Sequence, residues 1–120
     1  MSFDIAMLEV HDVNVVYVRG RIAFGDGAKE FREAMRVIER KGYRKILLNL
    51  GEVSHLDSSG LGVLVSAFSA MTAQGAQVKL LNLTKRTADV LLATRLFSVF
   101  EVFDDETAAL RSFADRAAAT

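Results

Sequence analysis

The sequence contains no cysteine, no proline and no tryptophan. Without cysteine there can be no disulfide framework, thiol nucleophile or zinc–thiolate site. The two histidines, His11 and His55, have none of the close pair spacings by which metal sites are recognised. No metal or other cofactor is therefore expected. A surplus of one charge is missing as well: fifteen Lys and Arg balance fifteen Asp and Glu, for a formal net charge of zero. A nucleic-acid binder usually carries a basic face, so that class is disfavoured. Nor is there a run of the ~20 apolar residues that a membrane-spanning helix needs. The longest weakly polar stretch, Leu61 to Met71, is broken by Gly62, Ser66 and Ser69. The start, Met1-Ser2-Phe3-Asp4, lacks the basic region and apolar core of a signal peptide. Together these absences point to a cytoplasmic protein with no membrane span.

Familiar enzyme motifs are absent too. There is no Gly-x-Gly-x-x-Gly turn, no Gly-x-x-x-x-Gly-Lys-Ser/Thr phosphate loop and no Gly-x-Ser-x-Gly nucleophile elbow. The pair Ser58-Ser59 has no His and Asp at spacings that suggest a catalytic triad. An enzyme is not the expectation.

What remains is an ordinary globular balance, with 51% hydrophobic and 25% charged residues in a 120-residue chain. That length suits one domain, residues 1–120, able to bury roughly two-thirds of its unfolded surface. The Ala-rich end, about 115–120, reads as a frayed tail. Two β-rich runs, Phe3 to Val10 and Val13 to Arg21, joined at His11-Asp12, predict a hairpin. Gly25-Asp26-Gly27 breaks the pattern, and Gly25 or Asp26 can open a helix. Ala28, Phe31, Ala34, Met35 and Ile38 then form one apolar stripe, ended by Lys41 and Gly42. Lys45 to Leu50 reads as a central strand, followed by a short loop that includes His55. Asp57 stands where a helix N-cap belongs, with Leu61, Leu64, Val65, Phe68 and Met71 behind it and Gly75 as the stop. Gln77 to Leu83 predicts a strand. Thr84 can cap a helix carrying Ala88, Leu91 and Leu92. Val99 to Phe103 predicts a last strand, and Asp104 or Asp105 a final helix burying Leu110 and Phe113. The order ββαβαβαβα gives an α/β fold: a small mixed sheet whose helix-linked strands are parallel.

The strongest chemical signal is Leu56-Asp57-Ser58-Ser59-Gly60-Leu61-Gly62. Asp57 can accept from free N–H groups of the first helical turn, leaving Ser58 and Ser59 on that turn. Gly60 and Gly62 each cost a helix about 1 kcal/mol relative to Ala. Either a tight strand–helix contact or access for a partner could require them. Spacing alone also leaves two readings of the serines open: simple capping residues, or hydroxyls at a helix N-terminus that tolerates a phosphate.

The segment Asn49-Leu50-Gly51-Glu52-Val53-Ser54-His55-Leu56-Asp57-Ser58-Ser59-Gly60-Leu61-Gly62-Val63-Leu64 resembles the signature of STAS domains. It is most similar to the stand-alone bacterial anti-sigma factor antagonists. The resemblance extends over nearly the whole chain, through Val18-Arg19-Gly20-Arg21-Ile22, Leu80-Leu81-Asn82 and Phe100 to Phe113. It implies a four- to five-stranded mixed sheet with helices mainly on one face. It also implies that Ser58 is phosphorylated by a partner anti-sigma factor, an ATP-dependent serine/threonine kinase, and reset by a PP2C-type phosphatase. The unmodified protein, a monomer when free, would bind the anti-sigma factor and release a sigma factor. Asp57, Ser59, Gly60, Leu61 and Gly62 would shape the docking surface. Where family members often carry an acidic residue and then an Asp just after the glycine that ends the second strand, this chain has Arg21 and Ala23. The nearest acid, Asp26, is the remaining candidate there. A constitutive STAS adaptor, in a signalling assembly or a transporter, is the alternative.

Overall fold

The computed structural model describes residues 3–118, with residues 114–118 given by backbone alone. The chain runs β1 (Phe3–Val10), β2 (Val13–Ile22), α1 (Asp26–Lys41), β3 (Lys45–Leu56), α2 (Ser58–Ala73), β4 (Gln77–Leu81), α3 (Lys85–Ala93), a 3-10 turn (Phe97–Val99), β5 (Val102–Phe103) and α4 (Glu106–Ala118). This is the order read from the sequence. The sheet is ordered β1-β2-β3-β4-β5; β1 lies antiparallel to β2, and every other pairing is parallel. His11 and Asp12 make the hairpin turn with φ of 49° and 62°. Two consecutive left-handed residues match the twist of the flanking strands. The Lys45 ammonium holds the Asp12 carboxylate at 3.2 Å.

Alternation along the strands divides the core into two layers. Val16, Val18 and Ile22 of β2 and Ile46, Leu48 and Leu50 of β3 face α1, α2 and α3. Val13, Val15, Leu47 and Leu81 face the other way, onto Ala109 and Phe113 of α4. Three helices thus cover one face and one helix the other, which explains why Lys45 to Leu50 reads as apolar on both sides.

Several expectations need correction. β3 continues to Leu56 and leads straight into the Asp57 cap. His55 is therefore on a strand, paired in register with Arg21, rather than in a loop. β4 stops at Leu81, where Asn82 turns the chain with φ 60°. The last strand shrinks to Val102–Phe103, because residues Phe97–Val99 wind into a 3-10 turn. Leu92 is 59% exposed, whereas Thr87 and Leu91, one turn apart, carry the buried stripe of α3. Ala34 is only half-buried on α1, and Gly27 joins the buried set there. In α4 Ala109, not Leu110, is fully buried beside Phe113. Asp105 is the acid that caps this helix, accepting from the Ala108 N–H at 2.9 Å. The expected tail, 115–120, falls on the end of α4 and on residues outside those described.

The register brings the carboxyl ends of β2 and β3 together, with Ile22 beside Leu56. The helices that follow each strand, α1 and α2, therefore begin side by side at the same end of the sheet. That end carries the motif.

Candidate functional site

Asp57 leaves β3 in an extended conformation and caps α2. Its Oδ1 accepts from the N–H groups of Ser59 at 2.9 Å and Gly60 at 3.1 Å. Its Oδ2 accepts from the Phe24 N–H, in the loop between β2 and α1, at 2.9 Å. One carboxylate thus satisfies two free donors of α2 and ties the neighbouring loop to it. These N–H groups, Phe24 foremost and then Gly60 and Ser59, hold its carboxyl below the usual carboxylate value against the opposing effect of desolvation.

With the cap made by Asp57, the next residue is free of that task. Ser58 is exposed and Ser59 half-buried. Both stand in the first turn of a helix whose sixteen residues, Ser58–Ala73, include no charged side chain. The N–H groups and positive dipole end of such a turn favour an added anion.

The two motif glycines have separate jobs. A Cβ on Gly60 would lie 1.8 Å from the Ile22 carbonyl oxygen. A Cβ on Gly27, at the start of α1, would lie 2.0 Å from the Arg21 carbonyl oxygen. The end of β2 therefore passes so close to both helix starts that only glycine fits at either. Gly62 has nothing within 4 Å of its Cβ direction and is exposed. It opens onto a cleft between α1 and α2 lined by Arg32, Arg36 and Ser66. The strand–helix contact explains Gly60, and only Gly62 leaves room for another surface.

The remaining candidates divide the same way. Leu61 is buried in the main core and faces away from solvent. Asp26 is exposed in the first turn of α1. Arg21 is exposed near the end of β2, and Ala23, just past it, is buried. One residue escaped the sequence reading: Phe24, 81% exposed beside Gly25. The available signal was a large apolar residue placed directly before the Gly25-Asp26-Gly27 break. Among the described residues no group of three or more His, Asp or Glu could hold a metal ion. No described helix is long and apolar enough to cross a membrane.

Comparison with known proteins places this geometry in a family. An anti-sigma-B factor antagonist of Listeria monocytogenes is 32% identical over 75 residues, spanning 62% of this chain and 66% of that protein. A solved anti-sigma factor antagonist of Mycobacterium paratuberculosis superposes with a TM-score of 0.82 at 20% identity, covering 92% of this chain and 93% of that one. The Bacillus cell fate determinant SpoIIAA in its phosphorylated form superposes with a TM-score of 0.69 at 19% identity, covering 93% and 99%. At such identities the two structures speak for the fold alone. The STAS domain model itself matches residues 4–109, nearly all of the described chain, and the protein belongs to the STAS family.

Proposed function

We propose that this STAS protein is an anti-sigma factor antagonist whose binding is switched off by phosphorylation of Ser58. The carrying observation is the exposed Ser58 at a helix start already capped by Asp57. A kinase can reach it without disturbing the cap. In the transfer, the Ser58 oxygen bonds the γ-phosphorus of ATP, ADP leaves, and the hydroxyl proton passes to the kinase. The helix N-terminus accepts the new group, so the fold persists while the surface changes.

The switch is charge insertion. The unmodified site offers a partner neutral hydroxyls at Ser58 and Ser59, the open Gly62 and the acid Asp26. Phosphorylation adds about −1.5 to −2 charges. A partner surface fitted to a neutral hydroxyl must then desolvate and oppose a dianion, which weakens binding by orders of magnitude. The partner is an anti-sigma factor serine/threonine kinase, the reset enzyme a PP2C-type phosphatase, and the setting the cytoplasm. The similarity to an anti-sigma-B factor antagonist supports this assignment.

Incubation with the partner kinase and ATP should add one phosphate by intact mass. Ser58→Ala should abolish the addition, and Ser59→Ala should not. Uptake of phosphate by Ser58→Ala at the wild-type level would overturn the switch. A large self-assembly on size-exclusion chromatography, with Ser58 never modified, would favour the constitutive adaptor.

A further inference from the structure

Isolated exposed apolar side chains are ordinary on a protein surface. Phe24 differs from the others in how its backbone is held. The Ala23 carbonyl accepts from the Ala28 N–H at 2.8 Å, and the Gly25 carbonyl accepts from the Lys29 N–H at 3.1 Å. Between them the Phe24 N–H donates to Asp57 Oδ2. Three consecutive residues are thus fixed, two by the first turn of α1 and one by the cap of α2. Ala23, packed inside, and Gly25, at φ 100°, leave Phe24 81% exposed between them.

Among the described residues, the other large exposed apolar side chains lie on β1, on the later turns of α1, on α3 and on the 3-10 turn. Among the described residues, Phe24 alone of these shares a hydrogen-bonded carboxylate with the turn that carries Ser58. An aromatic ring on a prefixed backbone loses little conformational freedom on binding, which is the property of an interface anchor.

Resting on the function proposed above, we infer that Phe24 is the apolar anchor by which the protein docks, filling an apolar pocket on the anti-sigma factor. The anchor sets the requirement that the switch violates. Closing a pocket over Phe24 excludes water from the ground next to Ser58, where a phosphate dianion needs that water most. Anchor and switch are therefore two parts of one surface, joined by Asp57.

The test uses the purified ATPase-type anti-sigma factors of the source organism, each titrated calorimetrically against the wild-type protein and its variants. Phe24→Ala should weaken binding at least about tenfold, as truncation of an anchor does. Phe24→Leu, which keeps apolar volume, should stay within about threefold of wild type. Leu92→Ala, exposed on α3, should bind as wild type. Loss of the ring should also make the heat capacity change of binding less negative, because less apolar surface is buried. Unchanged thermal unfolding of Phe24→Ala would separate this loss from misfolding. Wild-type binding with Phe24→Ala within twofold overturns the anchor and leaves the switch standing. Failure of every anti-sigma factor to bind the wild type overturns the functional reading itself, and the anchor with it.

Discussion

The Asp57 carboxylate accepts the Phe24 N–H at 2.9 Å across 33 residues of chain. This bond joins the two helix starts into one surface, while the other oxygen of the same carboxylate caps α2. Removing the carboxylate therefore breaks a local cap and a long-range tie together. Asp57→Ala should lower stability by about 1–2 kcal/mol in urea unfolding. Asp57→Asn, which keeps one oxygen acceptor, should lose less. Equal losses for the two would show that the oxygen retained by Asn contributes nothing to the cap or the tie.

The same group makes stability depend on pH in a defined direction. Its carboxyl is held below the ordinary value in the folded protein. In the window between the folded and unfolded values, the unfolded chain binds more protons, so stability rises with pH there. The contribution is complete above the unfolded carboxyl value of about 4 and fades as pH falls through the folded value. The stability gap between wild type and Asp57→Asn should thus be widest near pH 6–7 and shrink below about pH 4. A gap that grows on acidification would contradict the hydrogen bonds assigned to Asp57.

Two glycines in one turn and a half should respond oppositely to the same substitution. Gly60→Ala drives a methyl group into the Ile22 carbonyl. Backbone must shift, at a cost of about 3 kcal/mol. Gly62→Ala meets open space on an exposed helical face. It should stabilise α2 by up to about 1 kcal/mol and raise Tm by a few degrees. Thermal unfolding of the pair is the check, and losses of similar size at both positions would refute the division of roles.

Lys79 is the buried cation of the α4 face, with 2% of its side chain exposed. Its Nζ donates to Ser112 Oγ at 2.8 Å, sits 4.6 Å from the Phe113 ring centre and lies 3.6 Å from a Glu101 carboxylate oxygen. Lys79→Ala removes the packed stem as well as the donor and should cost about 2–4 kcal/mol. Lys79→Met keeps the volume and should cost much less. Hydrogen exchange of the α4 amides should accelerate in Lys79→Ala before that of β2 and β3. Uniform acceleration across the sheet would argue against a local pin.

Much of this architecture is legible in the amino-acid pattern. The order of elements followed from periodicity, because the switch from alternating to 3.6-residue spacing marks each strand and helix. The caps Asp57 and Thr84 were legible because their chemistry is local: each accepts from donors two or three residues away. The position of Ser58 on the first turn of α2 was legible for the same reason, since it follows from the cap before it, whereas its proposed role comes from the resemblance to STAS domains. Element ends were less legible. β3 ran past Leu50, and the last strand shrank, because pairing with neighbours rather than propensity decides where a ladder stops.

The alternation of strands and helices, the capped start of α2 and the apolar stripes were fixed by residues near one another along the chain. Packing across the sheet settled what Gly60 and Gly62 are for, why Lys79 can be buried, and how the Phe24 backbone comes to be tied to the cap next to Ser58. Those outcomes rest on which backbone passes close to which side chain across some thirty residues, as Asp57 and Phe24 do. Such distances are set by the packing of the whole sheet and its helices, and no local pattern encodes them.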